Sequence, residues 1–217
     1  MKQKNSYAKM TQYYDNVLTG RKWWSKIYMK YLWKVDDNFI AKEVLDMLPN
    51  NFEGKLLDVP IGTAVFTYNK YSKLPKALIT GLDYSHNMLE MAKMRFNKEN
   101  ITNVELIQAD ATNLPFDKES FDCILSMNGI HAFPQKNRAL DEIYRTLKKG
   151  GIFLGCFYIK GERIPADWFV KIFLNKKGFF RAPHYTFHTA EAKLHSLFGD
   201  NVVVKNTRSM FIFKCIK

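Results

Sequence analysis

The sequence predicts an α/β fold, a doubly wound sheet of seven strands, mostly parallel, closed by an antiparallel C-terminal hairpin strand. Three observations carry this. Short apolar runs alternate with helical patterns from residue 37 to residue 159, the arrangement that yields parallel strands with crossover helices. The runs are nearly continuous in apolar residues, as strands covered on both faces are. The last residues, NVVVKN and MFIFKCIK, are two short strand patterns joined by TRS, a hairpin signal.

In chain order, a helix is predicted over roughly 21–35. There Trp24, Ile27, Tyr28, Tyr31, Leu32 and Val35 recur at helical spacing, with Lys22, Lys26, Lys30 and Lys34 on the other side. A second follows over 37–48, built on Phe39, Ile40, Val44, Leu45 and Leu48 and ended by Pro49-Asn50-Asn51. KLLDV is the first strand and ALITGLDYS the second. SHNMLEMAKMRFNKE is a helix with Ser85 as its N-cap. NVELIQADA and SFDCILSMNGI are the third and fourth strands. NRALDEIYRTLKKGG reads as a helix closed by basic residues and glycine. GIFLGCFYI is the fifth strand, and TAEAKLHSLFG a helix ending at Gly199.

The chain of 217 residues suits one domain. With 47% apolar and 25% charged residues, a globular composition is expected. No apolar run reaches the length of a membrane span, and the N-terminus lacks the apolar stretch of a secretion signal. The expectation is a cytoplasmic protein. Cys123, Cys156 and Cys215 each sit in an apolar strand pattern, which reads as buried free thiols. No metal-ligand spacing is visible.

The net charge of +12 is unevenly placed. Residues 1–36 hold eight Lys/Arg against two acids, and residues 160–187 hold six against two. Residues 37–159 hold 14 against 15. Aromatic residues follow the same division: 17 of 32 fall within 1–36 and 157–187. The chain thus divides into an N-terminal helical cap (1–36), a core (37–159), an aromatic and basic insert (160–187), and a last helix with the hairpin (188–217).

Ligands of open parallel sheets lie outside the carboxyl ends of the strands, where strand order reverses. The residues predicted there are Pro60, Ile61, Gly62, Thr63 and Ala64 after strand one, and Asp83 at the end of strand two. Asp110 and Ala111 follow strand three, and Met127 to His131 follow strand four. Asp83 lies 21 residues beyond Gly62, where an acid accepts hydrogen bonds from a ribose diol. A helix-capping role is its plain alternative. Asp110 can accept from an exocyclic amine such as that of adenine, or simply form a turn. A dinucleotide reading fails because the turn has one glycine where pyrophosphate binding needs three.

The ordered series LLDVPIGTA, GLDYSHNMLEMAKMR, VELIQADATNLPF, SFDCILSMNGIHAF and ALDEIYRTLKKGGIF resembles the class I S-adenosylmethionine-dependent methyltransferases, nearest the ubiquinone/menaquinone methyltransferase-like branch. The resemblance spans roughly residues 37–159. It implies a Rossmann-like core, S-adenosyl-L-methionine as cofactor and S-adenosyl-L-homocysteine as product. Residue by residue, it implies that Asp58 orients the first turn, that Gly62 is the point of closest backbone approach, and that Thr63 is its small polar neighbour. It likewise places Asp83 and Tyr84 at the ribose, Asp110 and Ala111 at the adenine, and Met127 near the methionine end. Tyr14, in YYDNV, resembles an element that folds over the cofactor; a core tyrosine is the alternative. Pro60 and Ala64 depart from the pattern, since both replace glycines. Proline fixes φ and has no N–H, so a retained but reshaped site is expected.

In direct displacement the protein mainly aligns the reactants and excludes water. His131 is the best candidate for a general base, with packing as its alternative; His184 and Tyr185 are weaker candidates. By resemblance, the cap and insert form a lid and choose the acceptor. Their aromatic and basic character points to a small molecule that is aromatic or apolar, with negative charge as a further option. Three other readings stay open. One is an RNA methyltransferase or RNA-binding protein using the basic segments, not favoured because no RNA-binding domain is added. Another is peripheral membrane contact through 21–35. The third is a relative that binds the cofactor without catalysis. The oligomeric state is not indicated.

Overall fold

The structure, a computed structural model, describes residues 36–217 apart from residue 177. Tyr14 and the helix expected over 21–35 lie outside the described residues. Helices and strands are numbered from the first described one. Helix α1 (Asp37–Asp46) starts at Asp36, whose carboxylate accepts from the Asn38 and Phe39 amides. Strand β1 (Gly54–Asp58) leads through a long turn to a single helical turn, α2 (Tyr68–Tyr71). Strand β2 (Ala77–Asp83), helix α3 (His86–Lys98) and strand β3 (Val104–Gln108) follow. Ser85 caps α3 as expected, accepting from the Met88 amide. Strand β4 (Phe121–Met127), helix α4 (Lys136–Thr146) and strand β5 (Leu147–Tyr158) complete the parallel core.

The sheet has seven strands in the order β3-β2-β1-β4-β5-β7-β6, with β7 (Met210–Ile216) antiparallel to β5 and to β6 (Val202–Thr207). Strand order reverses between β1 and β4, which places the crevice beside the first turn. Side chains alternate across the sheet, so Leu56 and Leu57 enter different cores. Leu56 joins Ile40, Val44 and Tyr71 on one face, and Leu57 joins Ile124, Leu140 and Phe153 on the other. All are fully or almost fully buried, and each such side chain contributes roughly 1.5–3 kcal/mol.

One boundary differs from expectation. The helix read through LKKGG stops at Thr146, and Leu147 is already extended. Leu147 pairs with Phe121, and pairing resumes only at Ile152 with Cys123. Residues 148–151 form a bulge within β5 against β4, with Gly150 at φ 73°. Leu147 is fully buried, and burial in the sheet outweighs the helical propensity of two lysines.

The insert is also helical where no element was assigned. Helix α5 (Ile164–Phe169) continues into a π-helical turn, Val170–Leu174. Helix α6 (Phe187–Phe198) follows, opened by a reciprocal Thr186–Thr189 capping box and closed at Gly199.

Candidate functional site

The turn after β1 is stitched to both neighbouring strands. The Val59 amide donates to the Leu125 carbonyl (2.9 Å) and the Ile61 amide to the Leu82 carbonyl (2.9 Å). Gly62 has φ 56° and its amide donates to Asp83 Oδ2 at 3.0 Å. A Cβ at Gly62 would meet no protein atom within 4 Å. The glycine therefore satisfies a left-handed backbone and faces open space at the crevice.

The two departures from the glycine pattern now have surroundings. The Pro60 ring fills the space beside Gly129, where an added Cβ would lie 1.9 Å from Pro60 Cδ. Proline at the first turn is thus matched by glycine in the turn after β4. Ala64 lies ahead of α2. It is buried within the turn at φ 55°, a conformation glycine would adopt more easily.

Asp83 ends β2 and is 7% exposed. Its Oδ1 accepts from the Ser85 amide at 2.8 Å while Oδ2 holds Gly62. It therefore shares the capping work expected of Ser85 alone, and it joins the first and second turns. Burial raises its pKa, while these amides oppose the shift. Each carboxylate oxygen still has lone-pair capacity for a further donor.

Asp58 lies beneath the turn with no exposed surface. Tyr71 donates its hydroxyl to Asp58 Oδ2 at 2.7 Å, and Oδ1 has no hydrogen-bond partner. Burial pushes the carboxyl up to about 7, against the Tyr71 hydrogen bond that favours the charged form. Asp58 thus supports the turn from below, and nothing of it reaches the crevice surface.

At the tip of β3, Asp110 is exposed and forms a turn: its Oδ1 accepts from the Thr112 amide (2.8 Å) and hydroxyl (2.9 Å). Its Oδ2 makes neither bond. Ala111 and Met127 are buried, and Met127 contacts the Cys156 thiol at 3.5 Å. Thr63 is buried, and its carbonyl accepts from Arg95 Nε at 2.9 Å. Tyr84 is the outlier: its side chain is 76% exposed, and its carbonyl accepts from Gln108 Nε2.

His131, the expected general base, is held on several sides. It lies in a 3-10 turn, Ile130–Ala132, and is buried. Its Nδ1 accepts from the Tyr158 amide at 3.1 Å, which assigns the proton to Nε2. Its ring stacks on Phe180 with centroids 3.9 Å apart. Burial lowers its pKa to about 3. The acceptor nitrogen of the neutral ring is thus already occupied. His131 joins the β4 turn to the insert, as its carbonyl does by accepting from the Arg181 amide. His184 bonds Asn175 through Nε2 within the insert, and Tyr185 ties the insert to α4 by donating to Asn137.

Sequence reasoning missed Tyr71, Arg95 and Lys136. A carboxylate inside an apolar strand signals that some buried donor exists, but no spacing names Tyr71. Lys136 is buried, and its ammonium donates to the Phe133 (2.9 Å) and Arg181 (2.5 Å) carbonyls. Burial lowers it to about 8. Two concavities, of about 470 and 630 Å³, lie beside α4 and the insert and beside β2 and β3. Neither is lined by residues 59–64.

Residues 57–155 match a family model described as a methyltransferase domain. This stretch of the chain is thus similar to methyltransferase domains. A demethylmenaquinone methyltransferase from Staphylococcus epidermidis is 38% identical over 112 residues, 51% of this chain and 46% of the relative. One from Listeria monocytogenes is 34% identical over 125 residues, 57% of this chain and 52% of the relative. The chain thus matches about half the length of these curated relatives. Among solved structures, a phosphoethanolamine N-methyltransferase 2 from Haemonchus contortus, in complex with S-adenosyl-L-methionine, superposes with TM-score 0.69 and 19% identity. That match covers 86% of this chain and 56% of the other. A methyltransferase from Thermotoga maritima superposes with TM-score 0.65 and 21% identity, covering 83% and 88%. These two likenesses show the fold. The match runs from Leu57 in β1 to Gly155 in β5; the insert, the last helix and the hairpin lie beyond it.

Proposed function

We propose that this chain is an S-adenosylmethionine-dependent methyltransferase acting on a small acceptor that is apolar or aromatic. The observation that carries the reading is the pairing of Gly62 with Asp83. The glycine opens space at the reversal of strand order, and a carboxylate is held within one hydrogen bond of it. This donor and acceptor set fits the nucleoside: Asp83 accepts from the ribose diol, Asp110 Oδ2 from the adenine amine, and the backbone near Gly62 lies along the methionine part. When bound, the cofactor supplies an activated methyl group for direct displacement.

The chain's own residues then position and shield. Asp83 arrives pre-oriented by two amides, which reduces the ordering cost of binding. Pro60 contributes shape through Gly129 and no hydrogen bond. His131 acts here as a positioning residue, holding the insert over the end of β4. The demethylmenaquinone methyltransferase relatives favour a quinone-like acceptor, which suits an aromatic lid segment.

Calorimetry with S-adenosyl-L-methionine and S-adenosyl-L-homocysteine tests this. Wild type should bind both, and Asp83→Ala should lose at least about tenfold, since charge-assisted hydrogen bonds contribute roughly 1.5–3 kcal/mol. Asp83→Asn, which keeps the shape, should also weaken binding. Absence of binding by wild type overturns the activity. Equal binding by both variants overturns the placement of the ribose.

A further inference from the structure

The insert carries an apolar surface that the crevice does not use. Ile164 is 85% exposed, Trp168 61% and Ile172 40%. They recur every fourth residue along the continuous helical stretch formed by α5 and the π-turn, and so share one side of it. Ala166 and Val170, also four apart, are buried on the opposite side. The stretch is therefore amphipathic and docked, with its second apolar stripe turned outward.

Charge selects the occupant. Lys160, Lys171, Lys176 and Arg181, on the same segment of the chain, are exposed. The two acids of the segment are turned to internal partners. Asp167 accepts from the Tyr158 hydroxyl (2.6 Å) and the Gly161 amide (2.9 Å), and Glu162 accepts from Asn206. The outward face is thus apolar and cationic. Residues 1–36 carry eight basic residues against two acids, so like charge disfavours that segment as the covering partner. Aliphatic Ile164 and Ile172 offer nothing for base stacking, which disfavours single-stranded nucleic acid. A tryptophan between isoleucines, on a segment with exposed basic residues, matches the surface of an anionic bilayer.

We propose that α5 and the π-turn dock this protein on anionic membrane lipid, with Ile164, Trp168 and Ile172 entering the headgroup boundary. The insert leaves the carboxyl end of β5, the same sheet edge as Gly62 and Asp83, so docking turns that edge toward the lipid. The surface is argued from the insert alone and stands or falls apart from the methyl-transfer reading.

The test is sedimentation of the full chain with vesicles of phosphatidylcholine alone and of phosphatidylcholine with an equal share of phosphatidylglycerol. Binding is expected to the anionic vesicles only, weakening as salt is raised. The double variant Ile164→Ser/Trp168→Ser should bind at least tenfold more weakly, and Lys171→Glu/Lys176→Glu likewise. These side chains are exposed, so unchanged thermal melting shows that the fold is intact. Failure of wild type to bind anionic vesicles overturns the proposal. Binding that persists in both variants also overturns it, by assigning membrane contact elsewhere in the chain. Binding of an RNA oligonucleotide that competes with vesicles and ignores the Ile164→Ser change overturns it in favour of nucleic acid.

Discussion

Asp58 concentrates the residue-scale physics of the site. It is a carboxyl without exposed surface, bonded through one oxygen to Tyr71, with its pKa pushed by burial from 3.8 to about 7. The folded state therefore keeps this proton while the unfolded chain releases it between about pH 4 and 7. Where the folded state binds more protons, stability falls as pH rises. The contribution of Asp58 is thus lost progressively over that window, by up to about 4 kcal/mol. Asp58→Asn removes the ionisation. Chemical denaturation across this range should show the variant gaining on wild type as pH rises and levelling above about 7. A constant difference would mean that Asp58 ionises normally in the fold. The strand pattern shows that an acid is buried here; which hydroxyl meets it depends on α2, a single turn too short for periodicity to reveal.

At the scale of elements, two turns are fitted to one another. The first turn carries Pro60 where the family pattern has glycine, and the turn after β4 carries Gly129 against its ring. A methyl at 129 would lie 1.9 Å from Pro60 Cδ, so one of the turns must shift. Gly129→Ala should destabilise by about 1–3 kcal/mol, the usual cost of overpacking. The added cost should shrink in the double variant Pro60→Ala/Gly129→Ala, and urea denaturation of the four proteins measures that coupling. Additive effects would show that the ring and the glycine are independent. The strands and most helices were legible because their apolar periodicity is local. The end of α4 was not, because the burial of Leu147 beside Phe121 decides it, and that contact is tertiary. The insert's helix was masked by Pro165 and by aromatic residues that carry weak helical preference.

Across the whole molecule, the central strands bury all three thiols, on β4, β5 and β7. Burial pushes each up to about 12, so thiolate is scarce at neutral pH as well as enclosed. Labelling by a thiol reagent under native conditions should proceed only as fast as the sheet opens, with all three sites reacting together in denaturant. Rapid labelling of one site would reveal local opening at that strand. Among the described residues no helix is long and apolar enough to cross a membrane, so the lipid contact inferred for the insert is a surface contact.

The sequence by itself determined the alternation of strand and helix, the hairpin, and the spacing of Gly62, Asp83 and Asp110, because these depend on local pattern and on positions relative to strand ends. Only the tertiary structure decided what those residues touch. It set Asp83 between two backbone amides, gave Asp58 to Tyr71, seated Pro60 against Gly129, and stacked the His131 ring on Phe180. Each of these outcomes rests on groups far apart in the chain being brought within a few ångströms and out of water. Burial and pairing there fix the proton and the hydrogen bond, and neither is written in the spacing of the residues.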